Sequence, residues 1–312
     1  ADTRLRLLKG STTMKARALR TSGSRTEIRT PAALSAVRGT DFRVGVLEAN
    51  DAMRTEVLSG QVAVSARAKT VAIAAGFGTV VDLGAPPRPP RPLLPAPALT
   101  DVPAVLERVP VRIRVAEVKG ATAYRLEIAR DAAFMQVVAE RVAPTPSITG
   151  PDLADGSYFL RVRGIDALGQ EGLDATREFV LNARPEPPFP LEPNEGGVVP
   201  DGLPQFRWSE PDEAAAYRFQ LTAGDDFAAP LAAADRLSEA RYALTDALPP
   251  GTYRWRVATI DKHGEEGPFG DPQRLRVPQP GPVPEQPDLS DEAMVIRWPA
   301  GLATAAGMAR TA

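Results

Sequence analysis

Residues 28–44 read Ile28-Arg-Thr-Pro-Ala-Ala-Leu-Ser-Ala-Val-Arg-Gly-Thr-Asp-Phe-Arg-Val44. A first apolar segment ends in a Val-Arg-Gly-Thr turn, and a second begins at Phe42. Gly39 can supply a tight corner, and the side chains of Thr40 and Asp41 can bond the backbone of the turn. The stretch therefore predicts two short strands joined by a turn.

The same pattern extends over residues 1–84. Short β-prone segments follow each other with turn signals about every eight to twelve residues, as is typical of an all-β domain. The segments around the quoted stretch are Leu5–Leu8, Glu27–Arg29, Val44–Leu47, Thr55–Leu58, Gln61–Val64 and Val71–Ala74.

Three of these blocks, in this order, resemble the FecR domain, a cell-envelope module named for an iron-dicitrate signalling protein. They are residues 28–44, Thr55-Glu-Val-Leu-Ser-Gly-Gln-Val-Ala-Val64 and Val71-Ala-Ile-Ala-Ala-Gly-Phe-Gly-Thr-Val-Val81. Phe77 stands where the family usually has a polar residue. The resemblance covers about residues 3–83 and implies a FecR-like β-domain over residues 1–84.

A proline-dense segment follows this domain. Residues 85–97 contain seven prolines in thirteen positions, which favours stiff polyproline II over a helix or a ladder strand. We predict a linker over residues 85–103, either a spacer or the first edge strand of the next domain.

The chain then repeats itself. Tyr124 corresponds to Tyr217 at an offset of 93, and Tyr158 corresponds to Tyr253 at an offset of 95. Strand-like segments alternate at period two in each copy, and about seven short strands per unit suit a β-sandwich. We predict one sandwich at residues 104–183 and a second at residues 184–278.

The sequence Leu248-Pro-Pro-Gly-Thr-Tyr-Arg-Trp-Arg-Val257 resembles the turn and sixth strand of fibronectin type III domains. In that family a tyrosine after the turn holds the backbone of the turn in place. The spacing from Leu248 to Tyr253 is one residue shorter than the family's usual spacing. Trp208 and Trp255 lie on the inward phase of their strands, which predicts a core position. The predicted fold class is therefore all-β, a small FecR-type domain followed by tandem immunoglobulin- or fibronectin III-like sandwiches.

A third copy begins and stops. Residues 294–298 correspond to residues 204–208, but the strand pattern is lost beyond Trp298. We predict a proline-rich linker and an incomplete third repeat over residues 279–312, with a disordered tail.

Few residues suggest chemistry. The chain has no cysteine and one histidine, His263, whose counterpart in the first copy is Leu168. No metal, nucleotide or nucleophile motif is present, so we predict no catalytic residues, no metal site, no cofactor and no enzyme activity.

The charge distribution gives the candidate binding residues. Residues 1–84 carry 13 lysines and arginines against 7 acidic residues, a net charge of +6, and the remaining 228 residues carry 24 against 32, a net charge of −8. This basic domain could face an anionic polymer or lipid headgroup, or simply be solvated. The candidate binding residues are Arg38 and Arg43 beside the quoted turn and the basic cluster Arg4, Arg6, Lys9, Lys15, Arg17 and Arg20.

Three functions remain open at this point. The leading hypothesis is a non-catalytic exported cell-envelope protein, periplasmic or otherwise outside the cytoplasm, that binds peptidoglycan or another envelope protein and not nucleic acid. The second is the periplasmic signal-transducing part of an anti-sigma regulator, and the third is a glycan hydrolase. No segment is apolar and long enough to span a membrane, and the first residues do not resemble a signal peptide, so the signal of an exported protein was removed or lies upstream. An upstream LysM domain would support the first hypothesis, and an upstream spanning helix would support the second.

Overall fold

The structure of the protein is a computed structural model that describes residues 3–15, 26–37, 40–281, 288–290 and 293–295. Every regular secondary-structure element in these ranges is a β-strand, which confirms the all-β class. The chain divides into two compact units, Ala1–Ala183 and Arg184–Ala312. Within the described ranges, no helix has the length and apolar character needed to cross a membrane.

The first module comprises ten strands in two five-stranded sheets. Sheet A has the order β1-β3-β4-β7-β8, and sheet B has the order β10-β9-β6-β5-β2. The strands are β1 (Thr3–Arg6), β2 (Gly10–Lys15), β3 (Thr26–Arg29), β4 (Leu34–Val37), β5 (Asp41–Val46), β6 (Met53–Ser59), β7 (Gln61–Ala66), β8 (Lys69–Ala74), β9 (Phe77–Val81) and β10 (Arg91–Pro92).

The core of the first module lies between the two sheets. Alternate residues of β5 and β6 point into it, among them Phe42, Val44 and Val57, because successive side chains of a strand face opposite ways. Sheet B is unusual on its other face. Residues 42–46 and 53–57 are buried without a break, so β5 and β6 are covered on both sides.

The proline-dense segment is attached to the first module. Residues 91–92 form β10, an edge strand antiparallel to β9. The Leu93 N–H donates to the carbonyl of Gly76 at 2.9 Å, and the Leu173 N–H donates to the carbonyl of Leu94 at 2.9 Å. This part of the linker is thus held on one side by the first module and on the other by the strands that follow.

The first sandwich packs a five-stranded sheet, β11-β17-β16-β13-β14, against the pair β12-β15. Its core includes Ile113 and Ile148 from the pair and Leu126, Tyr158 and Phe179 from the larger sheet. The strands are β11 (Val105–Leu106), β12 (Arg112–Arg114), β13 (Ala121–Ala129), β14 (Val137–Ala143), β15 (Ser147–Thr149), β16 (Gly156–Asp166) and β17 (Ala175–Leu181).

The second sandwich repeats this arrangement. Its larger sheet has the order β19-β25-β24-β21-β22 and its smaller sheet the order β18-β20-β23. The strands are β18 (Pro190–Glu192), β19 (Gly197–Val198), β20 (Gln205–Trp208), β21 (Ala214–Ala223), β22 (Ala232–Leu237), β23 (Arg241–Ala243), β24 (Gly251–Asp261) and β25 (Gln273–Val277). This strand order is that of fibronectin III-like sandwiches, and both the repeat and the fold class are confirmed.

The turns before β16 and β24 are held by the same kind of hydrogen bond in the two copies. The Tyr158 hydroxyl donates to the carbonyl of Ala154 at 2.7 Å, and the Tyr253 hydroxyl donates to the carbonyl of Pro249 at 2.7 Å. The tyrosine thus closes the corner despite the shorter spacing.

The tryptophans lie in the core of the second sandwich, as predicted. Trp208 and Trp255 are 2% and 0% exposed and pack with Tyr217, Phe219 and Val257. Downstream, β26 (Asp288–Ser290) and β27 (Ala293–Val295) form an antiparallel pair. The predicted disordered tail, residues 299–312, lies outside the described residues.

Candidate functional site

The predicted basic cluster is divided between two sheets. Arg4 and Arg6 lie on β1 in sheet A, whereas Lys15 ends β2 in sheet B and Lys9 lies between these strands; all four are exposed. Arg17, Arg20 and Arg38 lie outside the described residues. Among the cluster residues that the structure describes, Arg4 and Arg6 therefore lie together on one strand.

Arg4 and Arg6 line an open groove on the outer face of sheet A. The groove has a volume of about 340 Å³, and its other lining residues are Leu5, Glu27, Arg29 and Leu34. In the parallel pairing of β1 with β3, Arg4 lies opposite Glu27 and Arg6 lies opposite Arg29. The groove thus contains three arginines and one carboxylate.

The two cross-strand pairs differ in charge. Arg4 Nε lies 3.6 Å from Glu27 Oε2, an exposed ion pair. Arg6 and Arg29 place two like charges side by side, which destabilises a sheet. Among the described residues, neither Arg6 nor Arg29 has a carboxylate partner.

Arg43 occupies a very different place from the exposed arginines. Its side chain is 2% exposed, and its Nη1 lies 2.8 Å from Asp174 Oδ1 of the first sandwich. Its Nη2 donates to the backbone carbonyls of Glu171, at 3.2 Å, and Gly172. Arg43 thus makes these contacts within the chain, because the hairpin between β16 and β17 covers it, and a contact of Arg43 with a separate partner stays a prediction.

Arg54 and Glu56 extend this buried contact. Both point away from the core of the first module, toward the same hairpin, and Arg54 Nη1 lies 2.9 Å from Glu56 Oε1. Arg54 Nη2 lies 2.6 Å from Glu171 Oε1, and the Glu171 N–H donates to Glu56 Oε1 at 3.1 Å. Glu171 thus closes a ring of bonds with two side chains of the first module.

The first sandwich supplies further arginines to Glu171. Arg125 Nε lies 2.8 Å from Glu171 Oε1, and Arg163 Nε bonds Glu171 Oε2. Arg163 also bonds Glu127 at 2.9 Å and Asp174 at 3.2 Å. We call Arg43, Arg54, Glu56, Arg125, Glu127, Arg163, Glu171 and Asp174 the buried ion network.

The electrostatics of the network favour the charged forms of its carboxylates. Burial raises the pKa of Glu171, but attraction by the surrounding arginines outweighs burial and lowers this pKa to about 2. Burial likewise raises the pKa of Glu127, and its bonds with Arg163 and Arg161 bring the net pKa below the ordinary value. Burial lowers the pKa of Arg43.

Three glycines at this contact leave room for neighbouring side chains. A Cβ atom at Gly45 would lie 2.7 Å from Arg54 Nε, and one at Gly169 would lie 2.8 Å from a methyl carbon of Leu47. A Cβ at Gly78 would overlap the side-chain amide of Gln170. Side chains at these positions would displace Arg54, Leu47 and Gln170 from their present places, so the close fit depends on glycine.

The start of the chain is similar to a known protein family. Residues 1–63 match the family model described as FecR protein. These residues are here called the FecR region. The match bears out the FecR resemblance at the start of the chain, and the sandwiches that follow have the fibronectin III-like strand order described above.

The solved structures give low global similarities. A Parabacteroides distasonis protein provisionally described as an anti-sigma factor is 19% identical over 28% of this chain and 42% of its own, with a TM-score of 0.24. The chain therefore spans less than half the length of that protein.

Two chicken proteins with fibronectin domains are also similar. The FN1–FN3 domains of CNTN1 are 12% identical over 87% of this chain and 99% of their own, with a TM-score of 0.29. A two-domain fibronectin type III segment of tenascin is 16% identical over 53% and 91%, with a TM-score of 0.23. The search of curated proteins found no match.

The FecR region contributes Arg43, Arg54 and Glu56 to the buried ion network, and the other members come from the first sandwich. Sequence reasoning singled out Arg43 alone and for another role. Arg54, Glu56 and Glu171 lie on strands or turns where a polar residue is ordinarily solvated, so period-two alternation gives no sign of their burial.

A comparison of the two repeats carries the missing signal. Arg125 and Glu171 are retained as Arg218 and Glu266, an exposed pair at 3.1 Å. The other charges are lost. The replacements are Gln220 for Glu127, Ala258 for Arg163 and Phe269 for Asp174. An excess of charge in one copy only thus marks the face that contacts the FecR region.

The histidine and acidic residues form no metal centre in the described part of the chain. No group of three His, Cys, Asp or Glu side chains is placed there to bind a metal. The His263 N–H donates to Asp261 Oδ1 at 2.8 Å, within a tight hairpin of the second sandwich. This backbone bond is a turn contact of a kind common to Asp residues.

Proposed function

We propose that this chain is a non-catalytic exported cell-envelope protein. Its first module, which contains the FecR region, binds a wall polymer or an envelope-protein partner, and the sandwiches act as spacers or docking modules. The FecR match supports an envelope role in the periplasm.

This proposal rests on one difference between the two sheets of the first module: how far the outer face of each sheet is covered. The outer face of sheet B is covered by the hairpin of the first sandwich through the buried ion network. The outer face of sheet A has an open groove in the part of the chain that the structure describes, and this groove is lined by Arg4, Arg6 and Arg29. A partner of the first module therefore meets sheet A.

The first sandwich also serves as a rigid support in this proposal. Buried ion pairs, interface glycines and the strand β10 join it to the first module, and both belong to one compact unit. A binding face held in this way loses little conformational entropy when a partner binds.

Photo-crosslinking tests the proposal on the full chain in the periplasm. A photoreactive amino acid at Ala72, exposed on sheet A, is expected to give one defined product with the wall polymer or with one envelope protein. The matched control is the same amino acid at Thr176, exposed on the first sandwich, which is expected to give none. No product from Ala72, together with no co-sedimentation of the chain with peptidoglycan, would contradict the proposal.

The FecR match also favours a second candidate, the periplasmic signal-transducing part of an anti-sigma regulator. In that case the product from Ala72 is a receptor protein, and loss of the chain changes transcription by one sigma factor. A crosslinked protein without any transcriptional change would favour the first candidate.

A further inference from the structure

The paired arginines of sheet A define a more specific site. We propose that Arg6 and Arg29 together hold a peptide-stem carboxylate of the cell-wall polymer, peptidoglycan, in the groove over β1, β3 and β4. This inference rests on the polymer-binding form of the proposed function and names the residues and the chemical group.

The groove contains two like charges at Arg6 and Arg29. Arg6 and Arg29 are opposite residues of neighbouring strands, so their backbones are about 4.8 Å apart and their side chains share one face. Like charges at such positions repel, and among the described residues no carboxylate compensates them. An arrangement that costs stability in the free protein is compensated when an anion sits between the two guanidinium groups.

The two guanidinium groups suit a carboxylate as the bound anion. Each guanidinium presents a planar fork of N–H donors that matches the two oxygens of a carboxylate. Arg4 differs from the other two because Glu27, 3.6 Å away, already partly neutralises it. The unmatched charge of the groove is therefore concentrated at Arg6 and Arg29.

The shape of the groove suits a polymer. The site is open and lies across three strands, and its floor beyond the arginines is Leu34, which pairs with Arg29 in register. An enclosed pocket would bury most of a small ligand, whereas an open groove suits one segment of a continuous chain. Its lining has no aromatic ring, so recognition relies on charge rather than on sugar stacking.

The site and the buried ion network lie on different sheets of the first module. The row that contains Arg6, Arg29 and Leu34 continues to Ser65 on β7 and Thr70 on β8 along the outer face of sheet A. The buried ion network lies on sheet B instead. A polymer bound to sheet A therefore meets the face that the first sandwich leaves open.

The experiment measures co-sedimentation of the full chain with purified peptidoglycan. The double substitution Arg6→Gln/Arg29→Gln is expected to weaken binding about tenfold or more, because charge-assisted hydrogen bonds are lost. The matched control is Arg112→Gln/Arg114→Gln, which removes the same charge from two exposed arginines on β12 and is expected to bind like the wild type. Arg6→Lys/Arg29→Lys keeps the charge without the fork and is expected to fall between them.

Thermal unfolding of the same variants separates binding from folding. Arg6→Gln/Arg29→Gln is expected to melt no lower than the wild type, because it relieves repulsion. Binding that survives this substitution, or equal losses in both double variants, would overturn the site and leave the proposed function in place. Binding of the wild type to anionic phosphatidylglycerol vesicles or to poly-glutamate but not to peptidoglycan would overturn the choice of polymer. A wild-type chain that binds none of these probes would overturn the site, while the crosslink from Ala72 would still test the protein-partner form of the function.

Discussion

Arg54 and Glu171 are 117 residues apart in the sequence, and their side chains meet at 2.6 Å. One belongs to the first module and the other to the hairpin of the first sandwich, and both are almost completely buried. A buried charge requires a partner because water no longer solvates it. The two parts of the unit are therefore interdependent, since separating them would expose or orphan several charges.

Removal of the central carboxylate is expected to destabilise the first unit. Glu171→Gln leaves Arg54, Arg125 and Arg163 without a common counter-ion, and breaking a buried pair in this way costs about 3–5 kcal/mol. Hydrogen exchange measured by mass spectrometry on the full chain reports each unit separately. The control is Glu178→Gln on β17, an exposed position expected to have no effect. Equal protection of the first unit in the wild type and Glu171→Gln would contradict the prediction.

The same carboxylate predicts how stability depends on pH. The folded-state pKa of Glu171 is about 2, below the ordinary value of 4.5. The unfolded chain therefore binds more protons between these values, so stability rises with pH there, and the contribution is complete above about pH 5 and is lost as pH falls through 2. Its size is on the order of 3 kcal/mol.

Denaturant unfolding at several pH values checks this dependence. The difference in unfolding free energy between the wild type and Glu171→Gln is expected to be largest near pH 7 and to shrink toward pH 2. A difference that stays constant over this range would show that the charge of Glu171 is not what stabilises the contact.

The repeat and the fold were predictable because they rest on local patterns. The offset of 93 between Tyr124 and Tyr217 is also the offset between the first residues of β13 and β21. Alternation placed Trp208 and Trp255 in a core, and the structure confirms it. Such patterns report which way a side chain points within its own sheet.

The buried ion network was not predictable in the same way. Along β16 and β6, alternation turns Arg163 and Arg54 away from their own cores, but it does not reveal that a second domain covers that face. Contacts between residues more than a hundred positions apart leave no periodic trace in one sequence. In the basic cluster, residues that are close in the sequence do not all lie on one surface. The chain changes from one sheet to the other between β1 and β2, which separates Lys15 from Arg6.

The glycines shared by the repeats yield a prediction for each unit. A Cβ atom at Gly172 would lie 2.7 Å from the carbonyl oxygen of Leu94, and one at Gly267 would overlap the carbonyl oxygen of Pro185. In both copies the segment before the sandwich thus runs against this glycine. Each substitution to alanine is expected to cost about 1–3 kcal/mol, because backbone must move.

Hydrogen exchange separates the two effects. Gly172→Ala is expected to reduce protection only in residues 3–183, and Gly267→Ala only in residues 184–281. Gly281→Ala serves as the control, because a Cβ there would meet nothing within 4 Å. A destabilisation that appears in the wrong unit would refute the proposed role of these glycines.

The last prediction concerns the aromatic core of the second sandwich. Trp255 is fully buried, and its ring centre lies 5.3 Å from that of Phe206. Trp255→Ala is expected to cost about 3–5 kcal/mol through the cavity it leaves and to unfold the second sandwich while residues 3–183 keep their protection. Trp255→Phe is expected to cost less, since it retains an aromatic ring and removes an indole N–H that has no hydrogen-bond partner in the described structure. Iodide quenching of tryptophan fluorescence and hydrogen exchange check both variants, and equal losses for Phe and Ala would show that ring packing does not dominate this core.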